Sequence, residues 1–341
     1  MRNVKLSEEV LRQWVNDLMV SRSVIGVRAK EDKFEFAPLH SASELRLDYD
    51  VTILPPKMFF QPPCEKLLTF EGSAQFKPLP PGEPFVLFGV HPYDLAAILQ
   101  LDALFSAEND DLHYRARREN ALIVACDVQF ASQNVFAGCM GTATIGAGFD
   151  VLLTLVGEGY VASAGTEAGD ALLSEIKGAP EADATSLALR AQVWSDNQRM
   201  LRRHDLRVSL KDLPGLLERS VDHPVWEEKS ARCFSCGSCN LVCPTCYCFD
   251  VNDEVNWDLK SGMRYRTWDA CLLNDFAAVA GGHNFRKSRA ERYRHRYYRK
   301  GKYLPEKIGQ IACVGCGRCI SACVSKIANP VEVYNRLQEG L

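Results

Sequence analysis

The sequence predicts an α+β protein: a mixed α/β region over residues 1–215, followed by a mostly helical, cysteine-rich region over residues 216–341. Three observations lead there. Strand and helix patterns alternate through the first half. Charge divides near residue 215, since residues 216–341 hold 19 Lys+Arg against 14 Asp+Glu, net +5, while the remainder is net −8. Such an asymmetry fits two units better than one uniform globule. Finally, 11 of the 14 cysteines fall between Cys233 and Cys323. With 47% hydrophobic residues in 341, the chain has ample apolar content for a core, which excludes disordered and collagen-like architectures.

The elements follow in order. Ser7 with Glu8 and Glu9 starts a helix whose Val10, Leu11, Trp14, Val15 and Leu18 share one face. Phe85–Val90 reads as a buried strand and Asp94–Leu101 as the helix after it. Ala121–Ala125 and Val151–Val156 read as further strands. The second turns at Gly157-Glu158-Gly159 into Tyr160-Val161-Ala162. From Ala182 to about Arg207 the pattern is helical, and Pro214 falls inside or between the helices that lead onward. Leu54-Pro55-Pro56-Lys57 and Pro78–Pro84 read as surface turns.

The cysteines carry the chemistry. Cys233-x-x-Cys236-x-x-Cys239-x-x-x-Cys243-Pro244 is repeated in phase as Cys313-x-x-Cys316-x-x-Cys319-x-x-x-Cys323. In two-cluster ferredoxins such a run gives three thiolates to one [4Fe–4S] cluster and its fourth to the other. One quartet is then Cys233, Cys236, Cys239 and Cys323, and the other Cys313, Cys316, Cys319 and Cys243. Tetrahedral zinc also uses paired CxxC units, but it does not need a triplet plus a trailing thiol twice over. A redox dithiol leaves the third and fourth cysteines without a role. Pro244 follows the first run, whereas Val324 follows the second. The long spacer between the runs is expected to hold helical segments between the cluster loops. Cys246, Cys248 and Cys271 stand close by, either as thiols packing round the clusters or as three ligands of an additional cluster or metal site.

These residues resemble the iron–sulfur β subunit of cytoplasmic NAD(P)-linked nickel–iron hydrogenases, the sulfhydrogenases, and the related electron-transfer subunit of anaerobic sulfite reductase. The resemblance rests on Cys233 to Cys248 with its CPTCxC ending, on Arg266-Thr267-Trp268-Asp269-Ala270-Cys271 and on Ala280-Gly281-Gly282-His283-Asn284-Phe285-Arg286. It extends to Cys313–Cys319, to Thr52–Lys57 and to Phe88-Gly89-Val90-His91-Pro92-Tyr93-Asp94. It implies an electron-transfer subunit of a multi-subunit oxidoreductase. Single electrons would pass through two [4Fe–4S] clusters, between a flavin/NAD(P)-binding diaphorase subunit and a catalytic nickel–iron hydrogenase subunit. Sulfite reductase is the alternative host. Hydrogenase β subunits of this type carry further cysteines in the first half, consistent with a third cluster. Here Tyr93 replaces one of them, and Cys126 and Cys139 are too few to hold a cluster alone, so no third cluster is expected in the first half unless Asp94 or His91 completes the set.

The remaining motifs are weaker. Gly157-Glu158-Gly159-Tyr160-Val161-Ala162 matches a loose G-x-G-x-x-A but precedes a strand, so a hairpin is expected rather than a dinucleotide site. No flavin or NAD(P) site is read on this chain, and no bond chemistry of its own is expected. Arg286–Lys302 carries nine Lys/Arg against one Glu, interleaved with Tyr293, Tyr297 and Tyr298. Support for anionic clusters or a partner subunit comes first for this stretch, a solvated helix face second and nucleic acid last. His91, His223 and His283 are expected to be structural, with His283 the candidate donor to a cluster sulfur, and Tyr93 is expected to pack. The charged N-terminal stretch carries no secretory signal pattern and no apolar run suits a bilayer, so a cytoplasmic location is expected. In that reducing compartment, clustered thiols are more often ligands than disulfides.

Overall fold

The apolar runs of the first half assemble into a mixed seven-stranded sheet in the computed structural model, which describes residues 2–72, 75–78, 82–106 and 110–339. In chain order the strands are β1 (Asn3–Ser7), β2 (Ser23–Lys30), β3 (Lys33–Pro38), β4 (Cys64–Glu71), β5 (Gln75–Pro78), β6 (Phe85–Val90), β7 (Ala121–Cys126), β8 (Val151–Val156), β9 (Gly159–Ala164), β10 (Phe249–Val255) and β11 (Ser261–Trp268). The large sheet runs β1-β9-β8-β7-β6-β2-β3. Its centre, β2-β6-β7-β8, is parallel, and the outer pairings are antiparallel. Parallel strands covered on both faces read as continuous apolar runs, as Phe85–Val90 does.

Helices cover the two faces. α1 (Glu8–Ser21) is capped by Ser7, whose hydroxyl accepts from the Val10 N–H at 3.2 Å. It buries Leu11, Trp14, Val15 and Leu18, and Trp14 meets Phe88 edge-on at 5.5 Å. Each such burial contributes about 1.5–3 kcal/mol. On the opposite face α2 (Pro92–Phe105) packs Leu95, Ile98 and Leu101 onto Val27, Leu87 and Ile123, joined by Tyr114 of α3 (Leu112–Glu119). α4 (Ala137–Met140) is a single turn, α5 (Glu167–Ser174) joins α1 on its face, and α6 (Ala184–Met200) ends seven residues before the expected Arg207. The β8–β9 hairpin turns on Gly157 at φ +64°, the conformation a two-residue turn requires there, so the G-x-G-x-x-A match is a turn.

The second half is built from α7 (Leu213–Arg219, with Pro214 in its first turn), α8 (Val225–Ser230), α9 (Ser238–Leu241), α10 (Arg289–Tyr298), α11 (Leu304–Ile308), α12 (Arg318–Ala322) and α13 (Pro330–Leu337). A π-helical turn, Arg299–Tyr303, links α10 to α11. Trp226, Tyr293, Tyr297 and Tyr334 form the aromatic centre of this unit.

The spacer between the cysteine runs holds the expected helical segments, α10 and α11, only in its second part. It begins with the β10–β11 hairpin, which completes a four-stranded antiparallel sheet of order β10-β11-β4-β5. β11 pairs with β4 from Ser261↔Glu71 to Thr267↔Cys64. Arg266, 4% exposed, locks this joint by donating to Glu65 at 2.6 Å and to Asp111, the cap of α3. Of the expected surface turns, Leu54–Lys57 is not on the surface: Pro55, Pro56 and Lys57 are buried where the chain enters a 3₁₀ turn at Pro56–Phe59, and Pro78 ends β5 while residues 79–81 lie outside the described residues. No helix among the described residues is long and apolar enough to cross a membrane.

Candidate iron–sulfur site

The two cysteine runs fold alike because their glycines and short residues stand in phase. Ser235 and Gly315, two residues after the first cysteine of each run, have φ +52° and +67°. Gly237 and Gly317, one residue after the second, have φ +72° and +78° and start α9 and α12. Left-handed backbone at these points curls each loop so that its first three cysteines share one side. Glycine reaches it freely and Ser235 only under strain. The Ser235 N–H donates to Cys233 Sγ at 3.4 Å, and the Ile327 N–H to Cys323 Sγ at 3.4 Å.

α9 and α12 pack against each other, which brings the fourth cysteine of each run to the other's loop. Cys233, Cys236, Cys239 and Cys323 line one cavity together with Tyr293. Cys243 lies in the electrostatic surroundings of Cys313, Cys316 and Cys319. The structure thus places Cys233, Cys236, Cys239 and Cys323 round one cavity, with Cys243 and the cysteines of the second loop close by. Cys239 is buried, which pushes its thiol up to about 12. Cys236, at the exposed edge, is held below the usual thiol value by the hydroxyl and N–H of Ser238.

Positive charge lies between the groups. Arg292, Arg296 and Lys300 recur every four residues along α10 and the π turn, so they share one face, and all three are buried. Arg296, 1% exposed, gives one N–H to the Cys239 carbonyl at 3.3 Å, while its Nε and Nη1 have no partner. Lys300 donates to Thr245 Oγ1 at 2.8 Å. Burial works against the Lys300 charge, yet the neighbouring sulfurs of Cys243 and Cys246 drive its pKa up. Buried cations without acidic partners fit anionic groups beside them. A thiolate-ligated [4Fe–4S] cluster is such an anion, so the donor set and the orphaned guanidinium protons both suit it.

The second loop is anchored on the first half. Asp94 and Arg318 form a fully buried bidentate pair at 2.6 and 2.7 Å, and Arg318 also donates to Thr52 O and Oγ1, both at 2.8 Å. The Phe136 N–H donates to the Gly315 carbonyl at 2.7 Å. Gly317 faces Asn134 so closely that a Cβ would stand 2.3 Å from the Asn134 oxygen. His91 is wholly buried, stacked on Tyr49 at 3.8 Å and bonded through Nδ1 to the Tyr93 hydroxyl at 2.7 Å. Burial holds it neutral, with its pKa well below the usual value. Tyr93 packs as expected, and His223 accepts from the Val225 N–H at 3.1 Å. His283 departs from its expectation: it is exposed, with its ring against Phe285.

The other cysteines divide. Cys126 lies in the apolar core under α1, Cys139 donates to the His204 carbonyl at 3.2 Å, and Cys64 is exposed at the start of β4. Cys246, Cys248 and Cys271 line a single cavity with Asn240. Arg296, Arg318 and Asn240 escaped the sequence reading, as did the pairing of Asp94 with Arg318. Asn240 and Arg318 stood beside ligand cysteines, and the four-residue recurrence of Arg292, Arg296 and Lys300 was the available signal for a buried basic face.

Paired cysteine nests of this kind define a dicluster iron–sulfur protein, and residues 232–327 match the family described as 4Fe-4S dicluster domain. Over 342 aligned residues, spanning 100% of both chains, the sequence is 34% identical to sulfhydrogenase 2 subunit beta of Pyrococcus furiosus. The chain therefore belongs to the sulfhydrogenase β-subunit family, as an iron–sulfur β subunit of the hydrogenase type. No solved structure matches it.

Proposed function

We propose that this chain is the electron-transfer β subunit of a cytoplasmic multi-subunit hydrogenase. Its two [4Fe–4S] clusters would connect a flavin/NAD(P)-binding diaphorase subunit with a catalytic nickel–iron subunit. The observation that supports the reading is the phase-matched pair of cysteine loops, with Cys233, Cys236, Cys239 and Cys323 round one cavity and unpartnered Arg296 protons beside Cys239. Bound there, each cluster supplies a one-electron couple.

The chain's own residues do the rest. Cys233, Cys236, Cys239 and Cys323 hold the first cluster, and Cys313, Cys316, Cys319 and Cys243 the second. The Ser235 and Ile327 N–H groups donate to ligand sulfurs, which tunes potential, and Arg296 offsets cluster charge without water. The Asp94–Arg318 pair fixes the second loop on the first half. Cys236 is exposed and flanked by Phe234 and Val324, which are 72% and 75% exposed. An apolar rim round the outermost ligand suits a partner subunit that exchanges electrons there. The inward turn of Arg292, Arg296 and Lys300 leaves less of the basic stretch for nucleic acid.

Protein purified without oxygen is expected to be brown and to contain at least about eight iron atoms per chain. Cys236→Ala and Cys316→Ala should each abolish one cluster and block reduction of the terminal acceptor by NAD(P)H in the reconstituted complex. Undiminished electron flow in either variant would refute the relay.

A further inference from the structure

We propose a third iron–sulfur site, held by Cys246, Cys248 and Cys271. It rests on the reading of the chain as an iron–sulfur protein and adds a cluster to the two of the ferredoxin-like quartets. Cys246 and Cys248 follow Cys243, and Cys271 follows β11, so the hairpin returns the chain to the same spot. There the three thiols line one cavity with Asn240, Thr245, Arg296, Arg299 and Lys300. Asn240, 2% exposed, donates from Nδ2 to Cys271 Sγ at 3.1 Å and to Cys246 Sγ at 3.6 Å. Its Oδ1 accepts from the Cys239 thiol at 3.6 Å, which sets the site directly beside the first quartet.

The surroundings separate ligation from packing. Cys126 shows what a packing cysteine looks like here, among Val86, Phe88 and Leu153. None of the three clustered thiols belongs to an apolar core group; they meet an amide donor and cations instead. Lys57 is buried as well, donating to the Cys246 carbonyl, and with Arg296 and Lys300 it has no carboxylate partner among the described residues. Buried positive charge of that amount calls for anions. Ligation supplies them: the three thiols release their protons and bind iron as thiolates. Among the described residues no group of three or more His, Cys, Asp or Glu side chains stands within reach of a single metal ion, either here or at the two quartets. Three cysteines serve three corners of a cubane, and the fourth falls to a ligand other than cysteine.

The test is iron and acid-labile sulfide per full-length chain purified without oxygen, with electron paramagnetic resonance after stepwise reduction. The proposal expects about 12 iron atoms and three reducible centres, against about eight and two without it. Cys248→Ser and Cys271→Ser should each lower the count by about four and remove one signal, leaving the other two. About eight iron atoms in the unaltered chain overturns the third site while leaving the two-cluster function standing; markedly fewer than eight overturns both. Variants that keep about 12 iron atoms overturn the assignment to these residues, as does a Cys248–Cys271 disulfide found by mass spectrometry in the oxygen-free protein. If the variants precipitate, the unaltered chain decides, because Cys64, Cys126 and Cys139 lie in three separate surroundings.

Discussion

Replacing Asp94 by Asn tests how the second cysteine loop is anchored. Asp94 and Arg318 have side chains 0% and 2% exposed, and both carboxylate oxygens accept from the guanidinium, at 2.6 and 2.7 Å. Two unit charges about 4 Å apart attract by about 4 kcal/mol at the effective dielectric of about 20 that suits protein sites. Removing one partner of a buried pair costs about 3–5 kcal/mol by a separate route, because the other charge stays buried and uncompensated. Asp94→Asn keeps the shape, so the loss is electrostatic. One amide N–H then faces a guanidinium N–H, while the two bonds from Arg318 to Thr52 survive. The expected destabilisation is about 4 kcal/mol. It is read as the shift of an anaerobic urea transition followed by circular dichroism and by visible iron–sulfur absorbance. The double variant Asp94→Leu, Arg318→Met should be more stable than Asp94→Asn alone, since an apolar pair can replace a buried ion pair at little cost. A loss below about 1 kcal/mol for Asp94→Asn, or a double variant as unstable as the sum of its singles, would refute the anchoring role.

Three other substitutions probe separate parts. Asp127 accepts from Thr154 at 2.6 Å and Trp194 at 2.8 Å, and burial raises its pKa from 3.8 to about 6. A raised acid favours the folded state while protonated, so this group's contribution is full below about pH 4 and falls by about 3 kcal/mol as pH rises through 6. Asp127→Asn should flatten that part of the urea-midpoint profile between pH 4 and pH 7, and an unchanged slope would count against it. Gly317→Ala combines φ +78° with a Cβ 2.3 Å from the Asn134 oxygen; it should cost more than the roughly 1–2 kcal/mol of left-handed strain and reduce iron retained after desalting. Trp14→Ala, which empties the contact with Phe88, should cost about 3–5 kcal/mol in the same urea assay without altering iron content.

The parts of the fold legible in the sequence were those with their own period. The α1 stripe and the continuous apolar runs of β6, β7 and β8 announced themselves because each faces the core through most of its length. β10 did not: Phe249-Asp250-Val251-Asn252-Asp253-Glu254-Val255 is an exposed outer strand, held by its ladder to β11 rather than by burial, so periodicity carried little signal. The helical segments expected in the spacer are α10 and α11, but the hairpin before them was missed for that reason. In the site, the two cysteine runs of the 4Fe-4S dicluster domain were legible by spacing alone. The Asp94–Arg318 pair was not, because its partners stand 224 residues apart and each reads locally as an ordinary surface charge. The inward face of α10 was hidden by composition, since nine basic residues in one stretch suggest solvent until the buried thiols beneath them are known.

The pairing of β11 with β4 has a consequence for biosynthesis. Glu71 meets Ser261, so β4 leaves the ribosome roughly 190 residues before the strand that covers its edge. At about 5–20 residues per second that is a wait of roughly 10–40 s. During that interval β4 has only β5 beside it, and its other edge is open to foreign strands. Nascent chains stalled within the first cysteine run would therefore be the aggregation-prone species, and closure of this small sheet marks the moment at which the polypeptide becomes safe to release.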